Sequence, residues 1–330
     1  MRCAIGFVAL VAVLCFSWSP VMAQDVTTYG SFTVLPSFQS LRTMSRSGDA
    51  GGTGIFPGLS QSVLNVGYTN LRADASFNQD GNPFLLGIRH KYVLYGVWYE
   101  ILQRFFLTEN LGVLGIANYL QPTSERLEED AEFLGGFHAR RTWATSTQLW
   151  GTGSALTYTV LGSTTFLAGL NWISFDLNFK EITEDNGGQS FVRPQSQVEV
   201  RGWTPYLGLA VTHNTSDNLL NVSLIVCPAF AGTLDYRLAG VQPGAAAGAS
   251  SNFQNSSFVT INAEYTRKIL GGGGSIGAFG RYTVIPAEFA LGVQPGPGPP
   301  PPGDSNVKLR ANAQMWIVGA AASFYFAFPI

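Results

Sequence analysis

The stretch "SFVTINAEYTRK", residues 257–268, places Val259, Ile261, Ala263 and Tyr265 in strict alternation with Thr260, Asn262, Glu264 and Thr266. A period of two is the signature of a β-strand with one apolar and one polar face. The pattern recurs. In "LLNVSLIVCPAF" Leu220, Val222, Leu224 and Val226 alternate with Asn221 and Ser223, and in "KYVLYGVWYEILQRF" Val93, Tyr95, Val97, Tyr99 and Ile101 alternate with Gly96, Trp98 and Glu100. These stretches run to about 12 to 20 residues, whereas strands of soluble proteins usually have about 5 or 6. A tilted strand needs about 9 to 11 residues to cross a bilayer.

Past residue 23 no window offers a run of about 18 apolar residues, the minimum for a spanning helix. The connections alternate between short and long. Short turns are expected at "LTEN" (107–110), "GS" (162–163), "NTSDN" (214–218) and "GGGG" (271–274), all residue types that tolerate turn geometry. They lie about 54 residues apart, room for two membrane-length strands and one long loop. The expected long loops are 122–140, 183–195, 233–254 and 290–305, the last carrying the stiff polyproline stretch "PGPGPPPPGD". The repeat predicts ten strands: near 62–77, 84–106, 111–121, 141–160, 164–181, 196–213, 219–231, 256–269, 275–289 and 306–328. If residues 30–41 form a strand as well, the even number becomes twelve.

The first 23 residues have the composition of a cleaved secretory signal peptide, with Arg2, an apolar run from Ala4 to Phe16, and Val21-Met22-Ala23 at the cut. Residues 24–57 then form an N-terminal segment outside the count, as a plug, a strap or an extra strand, and 58–330 form the barrel. A formal net charge of −2, with 12% charged residues, leaves no basic face for nucleic acid. Cys227 is the one cysteine past the leader and reads as a packing residue.

The leader, the hairpin spacing and the closing stretch "WIVGAAASFYFAFPI" together resemble a Gram-negative outer-membrane β-barrel protein. The resemblance covers essentially the whole chain beyond the leader. It implies an all-β, antiparallel, up-and-down transmembrane barrel with short periplasmic turns and long extracellular loops. It implies a last strand read by the barrel-assembly machinery, with Phe324, Phe326 and Phe328 in alternation and Pro329-Ile330 extending past them. Outer-membrane lipid and lipopolysaccharide are the partners implied, with a small polar solute in the lumen.

Barrels of this size hold an interior filled by side chains or a narrow passage, since wide porins use 16 or 18 strands. Counting outward from "GGGG" sets Asn262 opposite Arg281 and predicts an inward Glu264–Arg281 pair, a charge with its partner. Glu100, Arg104, Glu199 and Arg201 are expected to join it. Lys308 and Arg310 join it too if a β-bulge near Gly319 shifts the parity of the last strand. Tyr95, Tyr99, Phe105, Trp143, Trp150, Tyr265, Tyr282 and Phe326 are expected to form interface girdles.

No cofactor or metal pattern is present. The acidic run Glu128, Glu129, Asp130 and Glu132 lacks the spacing of a calcium loop and reads as solvated surface. His90 and His138 read as solvated rim residues and His213 as a neighbour of a periplasmic turn, with no catalytic constellation around any of them. The functional expectation is a narrow channel or solute-binding barrel. The alternatives are an adhesion barrel that binds through its loops and an outer-membrane hydrolase.

Overall fold

The computed structural model describes residues 59–79, 85–108, 110–133, 136–160, 164–179, 183–186, 189–192, 196–215, 217–239, 246–253, 257–269, 274–294 and 306–327. Residues 24–57, including the possible strand at 30–41, lie outside them. In chain order the strands are β1 (Leu59–Gln79), β2 (Leu85–Phe106), β3 (Leu111–Phe133), β4 (Phe137–Trp143), β5 (Thr145–Val160), β6 (Thr164–Phe179), β7 (Thr183–Asn186) and β8 (Gln189–Val192). The others are β9 (Ser196–Asn214), β10 (Asn218–Cys227), β11 (Ala231–Ala239), β12 (Ala246–Phe253), β13 (Phe258–Ile269), β14 (Gly274–Gln294) and β15 (Asn306–Ala327).

The wall closes, because β15 pairs with both β14 and β1, the latter from Leu59↔Ala327 to Gln79↔Val307. Ten strands surround the lumen. β4 and β5 run end to end along β3 across Ala144. Likewise β10 continues into β11 along β9, and β12 into β13 along β14, while the two halves of this hairpin keep one register. Their ladder opens at Pro228, which has no N–H to give it. The paired positions climb as they circle. Starting from Ser60, they pass through Phe105, Val113, Leu156, Ala168, Leu207, Val226, Val259, Val284 and Gln314 and return to β1 at Arg72. That stagger of 12 residues sets a strand tilt of about 40°.

Alternation now has a physical reading. Leu64, Val66 and Tyr68 stand exposed on the outer face of β1, while Asn65, Gly67 and Thr69 between them are buried. Leu207 and Val318 on β9 and β15 are 61% and 64% exposed. A closed wall that shows its large aliphatic side chains outward is built for a solvent of lipid. Aromatic residues border this belt: Tyr68 stacks on Tyr95, Trp172 meets Trp203 edge-on, and Tyr282 packs on Trp316. Trp150 and Tyr265 are outward as expected, whereas Trp143 is buried inside. The side chain of Phe326 lies outside the described residues.

All four expected long loops are partly strand. β3 continues through 122–133 and turns back through Gly136, at φ 77°, into β4. A bulge accommodates Pro122 there: Tyr95 faces Ser124 while Gly96 faces Pro122, and the extra Thr123 hydroxyl donates to the Tyr95 carbonyl at 3.1 Å. Residues 183–192 carry the β7–β8 hairpin, and 233–254 carry most of β11 and β12. β14 extends to Gln294, past its expected end. Above the lipid, water suits both faces of a strand, so the apolar alternation that marks a crossing disappears while the ladder goes on.

Closure depends on Gly67 and Gly319, which face each other across β1 and β15. A Cβ on Gly319 would stand 2.1 Å from the Val66 carbonyl oxygen. Gly319→Ala is therefore expected to cost roughly 1–3 kcal/mol and lower the yield of folded barrel on a semi-native gel. Gly280→Ala, with nothing within 4 Å of its Cβ, is the neutral control.

Candidate functional site: the lumen

The lumen divides into two layers. Toward the extracellular end its centre is apolar. Leu94 and Leu120 are fully buried, and Tyr92, Trp98, Leu127, Trp143, Leu177 and Phe179 pack around them from β2, β3, β4 and β6; Ile317, level with Arg281, and Phe279, two residues nearer the periplasmic turn, join the same cluster from β15 and β14. These residues occupy inward positions that a wide porin would leave polar, so they form a plug made from the wall itself.

Beneath the plug lies a polar band. Once the stagger is allowed for, Asn65, Glu100, Asn118, Asn171, Tyr206, Asn262 and Arg281 fall within a narrow range of height and all face inward. Glycines on neighbouring strands make room for three of them. Asn118 lies over Gly151, Asn171 over Gly153 and Tyr206 over Gly169, each within 2.8 Å of where a Cβ would stand. Arg281 closes the band. Its Nη1 and Nη2 donate to Glu100 Oε2 and Oε1, both at 2.6 Å, across the intervening β15 and β1. Asn65 Nδ2 adds a third hydrogen bond to Glu100 Oε1 at 2.9 Å. The fork geometry satisfies a buried carboxylate from three directions.

The expected Glu264–Arg281 pair is thus replaced by Glu100–Arg281. Asn262 does stand opposite Arg281, but the guanidinium turns away from β13 toward β2. Glu264 faces the same lumen, opposite Asn221 on β10. Arg104 also faces inward, near the periplasmic end, where its guanidinium lies 4.6 Å above the Phe106 ring and reaches Thr159 at 3.4 Å.

Glu199 and Arg201 do not line the lumen. They share the outward parity of exposed Trp203, while Gly202, Thr204 and Tyr206 point in. Arg201 contacts Glu199 at 2.5 Å and Asp176 at 3.9 Å on that outer face. Neutralising Arg201 is expected to leave every lumen property unchanged, which conductance recording checks. Arg310 sits at an outward position as well, and the side chain of Lys308 lies outside the described residues. β15 keeps one register with both neighbours, so there is no bulge at Gly319 and no change of parity.

At the extracellular rim, His90 is buried and its Nε2 meets Glu129 Oε2 at 3.1 Å, with Phe179 edge-on to its ring, so it is not a solvated histidine. Next to it Tyr92, Glu125 and Thr147 share hydrogen bonds of 2.5 to 3.2 Å. His138 is exposed and pairs with Asp130 at 3.2 Å. Glu129 belongs to the buried pair, whereas Glu128, Asp130 and Glu132 lie on the outer face. Residues that periodicity did not single out are Asn65, Asn118 and Asn171. The signal was present, since each takes the inward position of an otherwise regular strand.

No protein-family profile matches the sequence, and no curated protein matches it. Among solved structures, the outer membrane protease OmpT from Escherichia coli superposes with a TM-score of 0.64 at 8% identity, covering 83% of this chain and 99% of that one. The transport unit of the autotransporter AIDA-I from Escherichia coli matches with a TM-score of 0.40 at 12% identity, over 89% and 99% of the two chains. OprG from Pseudomonas aeruginosa matches with a TM-score of 0.34 at 10% identity, over 83% and 99%. Closed wall, lipid-facing belt and structural likeness agree: the chain has the antiparallel β-barrel fold of outer-membrane proteins.

Proposed function

We propose that this protein resides in the outer membrane and provides a narrow, normally closed path for ions or small polar solutes. The observation that carries this reading is the Glu100–Arg281 pair inside the polar band. Filling a barrel centre with apolar side chains is often as stable as, or more stable than, burying an ion pair there. A lumen that keeps charge and amides in a continuous layer has a use for them. The apolar plug above restricts that path and excludes bulky solutes.

The test is swelling of proteoliposomes carrying the refolded protein. Slow uptake of a small polar solute such as glycerol, with exclusion of disaccharides, is the expected result. Vesicles as tight as protein-free controls, both with the parent chain and with a thinned plug, would sink the proposal. A second reading, adhesion, draws on the outer wall of β3 and β4, where Arg126 pairs with Glu128 and Asp130 with Arg140 and His138 on an exposed face. It requires a binding partner that is lost when these charges are neutralised.

A further inference from the structure

We propose that the inner wall formed by β10 and β13 binds a hard metal cation, held by the Glu264 carboxylate and the amide oxygens of Asn221 and Asn262. Asn221 and Glu264 are direct cross-strand partners on the lumen face. Such partners hold their Cβ atoms about 5 Å apart. Asn262 follows on the same face of β13, two residues along and opposite Ser223. The three side chains therefore converge on one patch of the wall.

The patch is rich in acceptors that lack donors. The Oδ1 atoms of Asn221 and Asn262 are buried with no hydrogen-bond partner among the described residues, and so is Oδ1 of Asn65 in the same band. Asn65 stands outside the patch, on β1 beyond β14 and β15, where its Nδ2 donates to Glu100. Glu264 forms no salt bridge among the described residues. Arg281, the nearest cation to it by register, already directs both terminal nitrogens to Glu100. A carboxylate in a low-dielectric wall needs a counter-charge. Carboxylate and amide carbonyl oxygens are the donors that calcium-class cations prefer, while soft or transition metals favour thiolate and imidazole. Among the described residues no group of three His, Cys, Asp or Glu is placed to hold a metal, so this site would offer a single formal charge. That places it in the weak class, with a dissociation constant on the order of 10⁻⁴–10⁻³ M.

The inference deepens the channel reading, on which it relies for access of the ion, but binding is measured without any current. The refolded full chain in detergent would be titrated with Tb³⁺, with luminescence sensitised by its aromatic residues, and then with Ca²⁺ as competitor. Expected is saturable Tb³⁺ luminescence displaced by Ca²⁺, weakened at least tenfold in Glu264→Gln and unchanged in the outward Glu199→Gln. Asn262→Asp, which adds a charge, should tighten binding several-fold and guards against a Glu264 variant that does not fold. No saturable binding, or binding equally strong in parent and folded Glu264→Gln, would overturn the site and leave a proton as the counter-charge. A barrel that binds Ca²⁺ yet passes no solute would overturn the channel reading alone. One that passes solute without binding would overturn this inference alone.

Discussion

Arg281→Ala should destabilise the folded barrel by about 3–5 kcal/mol in urea unfolding, among the largest losses for any single polar substitution in the chain. The cause is the carboxylate left behind. Glu100 is 3% exposed and no other cation among the described residues is in its hydrogen-bond shell, so removing the guanidinium leaves an uncompensated buried charge. The double variant Glu100→Met/Arg281→Met removes both charges and fills much of the space. It is expected to recover most of the loss, because replacing a whole buried pair with apolar side chains is often neutral or stabilising. Equal losses in the single and the double variant would mean that shape, not charge, holds this part of the lumen.

The plug supplies the second large effect. Leu94 and Leu120 are both fully buried in its centre, contributed by β2 and β3. Each Leu→Ala change is expected to cost about 2–5 kcal/mol, the transfer term plus the cavity it leaves. In a soluble core such a cavity would only weaken the fold. Here it lies on the axis of a closed barrel above a polar band, so Leu94→Ala/Leu120→Ala should also speed glycerol entry into proteoliposomes several-fold. Unchanged swelling in a variant that still folds would show that the path does not run through this cluster.

The wall was largely legible in the sequence, and the reason is the lipid. Where strands cross the bilayer, their outer face must be apolar, so Val259, Ile261, Ala263 and Tyr265, or Leu220, Val222, Leu224 and Val226, announce both strand and orientation. The four short turns then set the strand count at ten. The strand extensions were not legible because that constraint ends at the membrane surface. In "QPTSERLEED" a proline and five charges look like a loop, yet β3 absorbs Pro122 at a bulge, which turns Leu127 and Glu129 inward and sends Arg126 and Glu128 to water.

Charged positions were legible as residues and not as pairs. Local counting placed Asn262 opposite Arg281 correctly, because both belong to one hairpin with a short turn. Glu100 lies 181 residues away in sequence and meets Arg281 only through the closure of β15 on β1. That contact depends on the stagger of the whole barrel, which no single hairpin encodes. Glu199 and Arg201 illustrate a second limit. Their alternation with Val198, Val200 and Gly202 does not say which face is the lumen, and above the girdle the polar face is the outer one.

Single-channel recording of the refolded protein, beside its Glu100→Gln/Arg281→Gln variant, decides whether the lumen conducts and whether the clasp restricts it. The variant keeps hydrogen-bonding side chains at both positions while removing the clasp that draws β2 and β14 together across the lumen. Small, infrequent steps are expected from the parent and larger, more frequent ones from the variant. Silence from both, with folded barrels in the membrane, would mean that the lumen is no path for ions.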